Sequence, residues 1–176
     1  MKIDSQTRIH HPRDVVFRAY RDRLAEVVPY IPDIREIKVH SREEEGGRVV
    51  LHNEWIADRD VPKAFSMVLK PEHLRWDDHA TWDEDTWTCR WTIKPRVFTD
   101  AVSCSGENVF SDDGDGHTRL ALKGDLTIRL ESIPGVPGFL GRRLAPQLEK
   151  FIVNLITPNL ERVNTSLEQF LDEHGG

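Results

Sequence analysis

The sequence predicts an α+β fold in which a curved antiparallel sheet of about six or seven strands wraps one long C-terminal helix. Three observations carry this reading. Segments that alternate apolar and polar residues fill most of the chain up to Leu130. Turn-forming clusters such as Glu45-Gly46-Gly47 and Asp112 to Gly116 separate them. From Leu144 onward the apolar residues step instead at threes and fours, as on a helix.

The elements follow in order. Lys2 to His10 places Ile3, Ser5, Thr7 and Ile9 on one face of a strand. His11-Pro12 then opens a short amphipathic helix, with Pro12 at its first position and Val16, Tyr20, Leu24 and Val27 as its stripe. Pro29 and Pro32 break it. Ile37 and Val39 lie on the next strand, and Val49, Leu51, Asn53 and Trp55 share a face of the strand that returns. Asp58 to Pro71 reads as a lid-like loop with a helical turn, or as an irregular strand. Leu74, Trp76, Asp78, Ala80 and Trp82 share one strand face, and Trp87, Cys89, Trp91 and Ile93 another. Val102 to Phe110 and Leu120 to Leu130 complete the sheet. Pro134 to Gly138 ends it, and the final helix is expected over Pro146 to Asp172, kinked at Pro158. Phe151 to Ile156 is apolar on nearly all sides except at Asn154, which calls for an enclosed setting.

Composition narrows the function. A chain of 176 residues without repeats or linkers reads as one domain over 1–176. Its formal charge of −6 argues against binding a nucleic-acid backbone. No apolar run reaches a membrane span, and Lys2 is followed by no secretory leader. Two cysteines, Cys89 and Cys104, suit reduced thiols in the cytoplasm better than a disulfide scaffold.

Against this polar background, four of the five tryptophans (Trp76, Trp82, Trp87 and Trp91) fall in one short stretch. A turn centred between Glu84 and Asp85 pairs Trp82 with Trp87 and Asp78 with Trp91. One between Arg96 and Val97 sets Cys89 opposite Cys104 and Trp87 opposite Gly106, and one at Gly114 pairs Cys104 with Gly124. Gly106 and Gly124 then lie on the inner face beside the rings. Large rings next to absent side chains mean either interlocked packing or room for a guest. Period-two placement fits a cavity wall and an ordinary core equally.

The element order, with the opening Met1-Lys2-Ile3, then His11-Pro12 and Val15-Val16, resembles the START/Bet v1-like (SRPBCC) superfamily. The resemblance covers nearly the whole chain. It implies the helix-grip fold, with an apolar cavity between the sheet and the last helix. Glu54-Trp55 at a strand end, followed by Asp58 to Pro71 as a lid, is also faintly similar to PRELI-type phospholipid-transfer domains, whose lipid specificity is not carried over.

The function expected is binding, transport or sequestration of a hydrophobic small molecule or lipid, without catalysis or a cofactor. Its candidate ligand-binding residues are Asn53, Trp55, Trp76, Asp78, Trp82, Trp87, Trp91, Gly106, Asn108, Gly124, Phe151 and Leu155. The inward amides and Asp78 would orient the ligand's polar end, although a one-residue bulge exposing Asp78 beside Asp77 is the commoner arrangement. The alternatives are a cyclase or dehydratase acting on a polyketide-like or aromatic substrate, and a protein-interaction domain with a vestigial pocket. An enzyme would need an acid–base pair in the cavity, and Arg90, the nearest partner for Asp78, is expected to point outward. His52 with Glu54 and His73 with His79 lack zinc spacing, and the Asp112 to Gly116 loop lacks a calcium frame, so no metal is expected. Gly135 to Gly141 lacks the Lys and Ser/Thr of a phosphate loop and reads as a rim of the cavity mouth. Arg8, Arg13, Arg18, Arg21 and Arg23 form a weak basic face or, more simply, a solvated one.

Overall fold

A computed structural model describes residues 1–66, 69–129 and 138–175, with backbone alone for 138–145. Expectations for Met67, Val68, Leu130, Pro134 to Pro137 and the Leu144 side chain fall outside these residues. The glycine-rich stretch is therefore seen only as helix backbone from Gly138.

Among the described residues seven strands form one antiparallel sheet: β1 (Lys2–Ile9), β2 (Ile34–Glu45), β3 (Arg48–Ala57), β4 (Arg75–Asp83), β5 (Thr88–Pro95), β6 (Val102–Asp112) and β7 (Thr118–Ile128). β2 to β7 are neighbours in chain order, and β1 closes the far side by pairing with β7. The chain crosses from β1 to β2 through α1 (Arg13–Asp22), α2 (Leu24–Val27) and a 3₁₀ turn at Val28–Tyr30. The expected stripe Val16, Tyr20, Leu24 and Val27 is buried, but Arg23, outside the helical region at φ −122° and ψ 15°, splits the helix in two. Pro12 sits just before the first helical residue.

The expected inner faces hold on the strands, since one parity of each carries most of its buried apolar set; Ile56 on β3 is buried on the opposite face. Val49, Leu51, Asn53 and Trp55 are all buried on β3, and Gly46 and Gly47, both at positive φ, close its hairpin with β2. Val39 departs from the pattern. It is 56% exposed on the edge strand β2, beside a register shift between Val39 and Ser41.

Three hairpin registers differ from expectation, by two residues at the β4–β5 and β6–β7 turns and by four at the β5–β6 turn. Trp82 pairs with Cys89 and Ala80 with Trp91. Trp91 pairs with Gly106, and Ile93 rather than Cys89 faces Cys104. Gly106 pairs with Gly124. An even shift keeps every side chain on its face. Its source is the loops: Trp87 and Phe98 adopt positive φ without being residue types that announce such turns, and Asp115 adopts it between Gly114 and Gly116.

The last helix, α3, runs Gly138–His174, starting before the expected Pro146. It passes through Pro158, which has no N–H to give the carbonyl of Asn154. Arg59 supplies the missing donor, its Nη1 lying 3.1 Å from that oxygen. The segment carrying Arg59 holds 3₁₀ turns at Lys63–Phe65 and Pro71–His73, and no strand among its described residues. Its buried Phe65 packs on Phe151 of α3, ring centres 5.9 Å apart.

Candidate functional site

Between the sheet and α3 lies a cavity of about 50 Å³. A second of about 50 Å³ continues toward the N-terminal half of α3. Trp76, Ile93 and Ile156 line both. Each has room for a few waters or a small ring, at roughly 10–15 Å³ of such volume per water.

Asn53, Trp55, Trp76, Asp78, Trp82, Trp91 and Asn108 from the expected set line the first cavity. Phe151 and Leu155 line the second. The expected bulge at Asp77 and Asp78 is absent. β4 pairs without interruption on both sides, so Asp77 faces out and Asp78 faces in. The small surface Asp78 keeps opens onto the cavity. Its Oδ2 accepts from Asn53 Nδ2 and Trp55 Nε1, both at a long 3.4 Å. Burial pushes its carboxyl up to about 6, against the pull of those two bonds and of His52 behind the strand. Asn108 Oδ1 accepts from Trp91 Nε1 at 3.0 Å.

Three expected residues stand apart. Trp87 lies in the β4–β5 turn at φ 55°, under the Arg13 guanidinium at 4.2 Å and against Phe17 at 5.3 Å, and does not reach the cavity. Gly106 and Gly124 do not open space for a guest, because the Trp91 ring already occupies it. A Cβ on Gly106 would lie 2.4 Å from that ring, and one on Gly124 2.9 Å. The packing is interlocked, and the glycines let Trp91 lie flat across β6 and β7.

The outer face holds a buried acid. Glu54 faces away from Trp55 and is buried among basic side chains. His40 Nε2 lies 3.1 Å from it, Arg96 3.5 Å and Arg75 3.8 Å. Beside it His52 stacks on His79 at 4.4 Å and bonds Asp77 at 2.8 Å. Among the described residues no group of three or more His, Cys, Asp or Glu is placed to hold a metal. Arg90 points outward to Glu107 at 2.8 Å. The basic face is matched by acids: Arg8 by Asp113, Arg18 by Glu84, Arg21 by Asp22 and Arg23 by Glu26. Both cysteines are free and buried, and burial pushes the Cys104 thiol up to about 12 and raises that of Cys89.

Two polar cavity residues escaped the sequence reading. Tyr20 sat in an apolar stripe and read as core. Burial raises its phenol, keeping it protonated. Asn159 is the detectable one, a polar residue four after Leu155 and four before Val163 on the buried face of α3. Its Nδ2 donates to the Leu155 carbonyl at 2.7 Å, and its buried Oδ1 has no partner among the described residues.

No family model and no curated protein matches this chain. Solved structures do. The protein TTHA0849 from Thermus thermophilus aligns over 100% of both chains with TM-score 0.69 and 22% identity. The Zhui aromatase/cyclase from Streptomyces sp. R1128 aligns over 100% of this chain and 98% of its own, with TM-score 0.62 and 16% identity. The fold is the Bet v1-like helix grip. A third helix grip, norcoclaurine synthase from Thalictrum flavum in complex with dopamine and hydroxybenzaldehyde, covers 100% of this chain and 88% of its own at TM-score 0.64 and 11% identity. At these identities the likeness extends to the fold. Among the described residues no helix is long and apolar enough to cross a membrane.

Proposed function

We propose that the protein, acting as one domain over 1–176, binds a hydrophobic small molecule or lipid in the double cavity and carries or sequesters it. The observation that supports this best is the hollow itself, an apolar space between sheet and α3 in which Asp78 is the one charged side chain among the described lining residues of the first cavity. Four tryptophans supply apolar wall, and Asn53, Asp78 and Asn108 would orient a polar end. Burial at about 25 cal/mol per Å² of apolar surface would supply most of the affinity. Norcoclaurine synthase, which shares the fold, was captured with two small aromatic molecules, and the present cavities suit molecules of that scale. Buried free thiols fit a reducing, cytoplasmic setting.

The test is native mass spectrometry of the purified protein, with extraction and identification of what it retains. A retained small molecule, lost in Ile156→Trp where the indole would fill the wall common to both cavities, is the expected result. A protein that carries nothing and takes up no small apolar probe such as indole would overturn the proposal. A second reading, chemistry on the bound molecule, is favoured by the Asp78 carboxyl, which at about 6 could both take and return a proton near neutrality. Conversion of the extracted molecule by wild type but not by Asp78→Asn would support it, and an unchanged mass would exclude it.

A further inference from the structure

The first cavity has a carboxylate and no cation in its described lining. Among its described lining residues Asp78 is the one charged side chain, and the nearby His52 lies behind the strand, outside the cavity. The two hydrogen bonds Asp78 receives both fall on Oδ2 and both are long. None reaches Oδ1 among the described residues. No cation is seen on the ring faces either. The guanidinium groups that stack on aromatic rings sit over Trp87, Phe17 and Phe170, none of which lines the cavity. Trp55 and Trp76, stacked at 5.9 Å, together with Trp82, which packs on Phe17, Tyr20 and Phe110, and Trp91, have no such partner among the described residues. Unmatched neutral groups fall on both sides, with the Asn159 Oδ1 acceptor on one wall and the Trp82 Nε1 donor on another. The one unmatched charge is negative.

A buried carboxylate is stabilised by a cation that can also hydrogen-bond to it, and indole faces attract the same cation. An anionic ligand would meet Asp78 as a like charge in a poorly solvated space. We infer that the cavity selects an apolar ligand bearing a protonated amine, with its ammonium at Asp78 Oδ1 and its body among Trp55, Trp76, Trp82 and Trp91. This rests on the ligand-binding reading above and gives it a substrate class.

Three probes share one apolar body and differ in head group: 2-phenylethylamine, 2-phenylethanol and 3-phenylpropionate. Calorimetric titration at neutral pH should find the amine binding about tenfold or more tighter than the alcohol, and the carboxylate weakest. Asp78→Asn should remove the amine's advantage over the alcohol, with the near-ultraviolet circular dichroism unchanged. Equal affinity for amine and carboxylate, or an Asp78→Asn variant that keeps the amine preference, would overturn the inference. Indole separates the two levels. If it binds wild type but not Ile156→Trp while no probe binds, amine selection fails and the cavity reading stands. If neither indole nor the probes bind, both fail.

Discussion

Asp78 shows how a residue's role is decided by strands other than its own. Within β4 the pair Asp77 and Asp78 argues for a bulge that would expose both carboxylates. The pairing with β3 overrides that, because Asn53 and Trp55 turn their N–H groups toward Asp78. Asp77, one step along, is held outside by Arg96 and His52, whose hydrogen bonds outweigh its partial burial and lower its carboxyl. For Asp78 the sign is opposite. A folded value of about 6 against an ordinary 3.8 means the folded state holds the proton more tightly than the unfolded one. Ionisation therefore costs stability. The penalty is absent below about pH 4, grows toward about pH 6 and is constant above. Asp78→Asn should stabilise the ligand-free protein at pH 7.5 by on the order of 1–3 kcal/mol and have little effect at pH 4. Urea unfolding at the two pH values checks this, and an equal gain at both would remove burial of charge as the cause. Gly106 makes the reverse case. Its Cβ-free surface was legible as an inner-face glycine, but not what fills it. A methyl there would meet the Trp91 ring at 2.4 Å and the Lys123 carbonyl at 2.3 Å. Gly106→Ala should cost roughly 2–3 kcal/mol, read as a lowered Tm.

At the scale of elements, alternation settled which side of each strand faces inward, and the turns decided the register. The Gly46-Gly47 hairpin was legible because glycine is the residue that positive φ favours. The β4–β5 and β5–β6 turns place Trp87 and Phe98 there instead, a strained choice for bulky residues. Tertiary contacts compensate at Trp87, where Arg13 and Phe17 pack on the ring. No local pattern announces that compensation, so the tryptophan cluster looked tighter than it is, and Trp87 was counted with the cavity. The segment from Asp58 was likewise ambiguous because its role is defined by α3. Arg59 restores to Asn154 the donor that Pro158 withholds. That pairing yields a coupled prediction. Arg59→Ala should destabilise by about 1 kcal/mol, but much less in a Pro158→Ala background, where a backbone N–H is restored to the helix. A double-mutant cycle in urea measures the difference. Additive costs would mean that Arg59 acts through something other than the freed carbonyl.

Across the whole molecule, α3 is held unevenly. Its C-terminal half buries Val163, Leu167, Phe170 and Leu171 almost completely. Hydrogen bonds also tie that half to the β1–α1 corner and the turn that follows: Glu168 to His10 at 2.6 Å, Asp172 to His11 at 2.8 Å, and Ser166 to the Tyr30 carbonyl at 2.7 Å. The exposed pairs among these contribute little, so close packing is the main restraint. Toward Leu148 the helix instead borders the second cavity, and it is covered by Phe65 and the Arg59 segment rather than by a filled core. A void withholds contacts from the residues around it, so this half should open at lower free energy. Amide hydrogen exchange of the ligand-free protein should therefore be faster over Leu148 to Ile156 than over Val163 to Leu171. A molecule seated against Ile156, which borders both cavities, supplies the missing contacts and should slow the first stretch by its binding free energy. The second stretch should exchange only through global unfolding and gain no more than the overall stabilisation. Uniform exchange along α3 without ligand would mean that the hollow half is as firmly held as the filled one, and the way in for a ligand would then have to be sought at another side of the sheet.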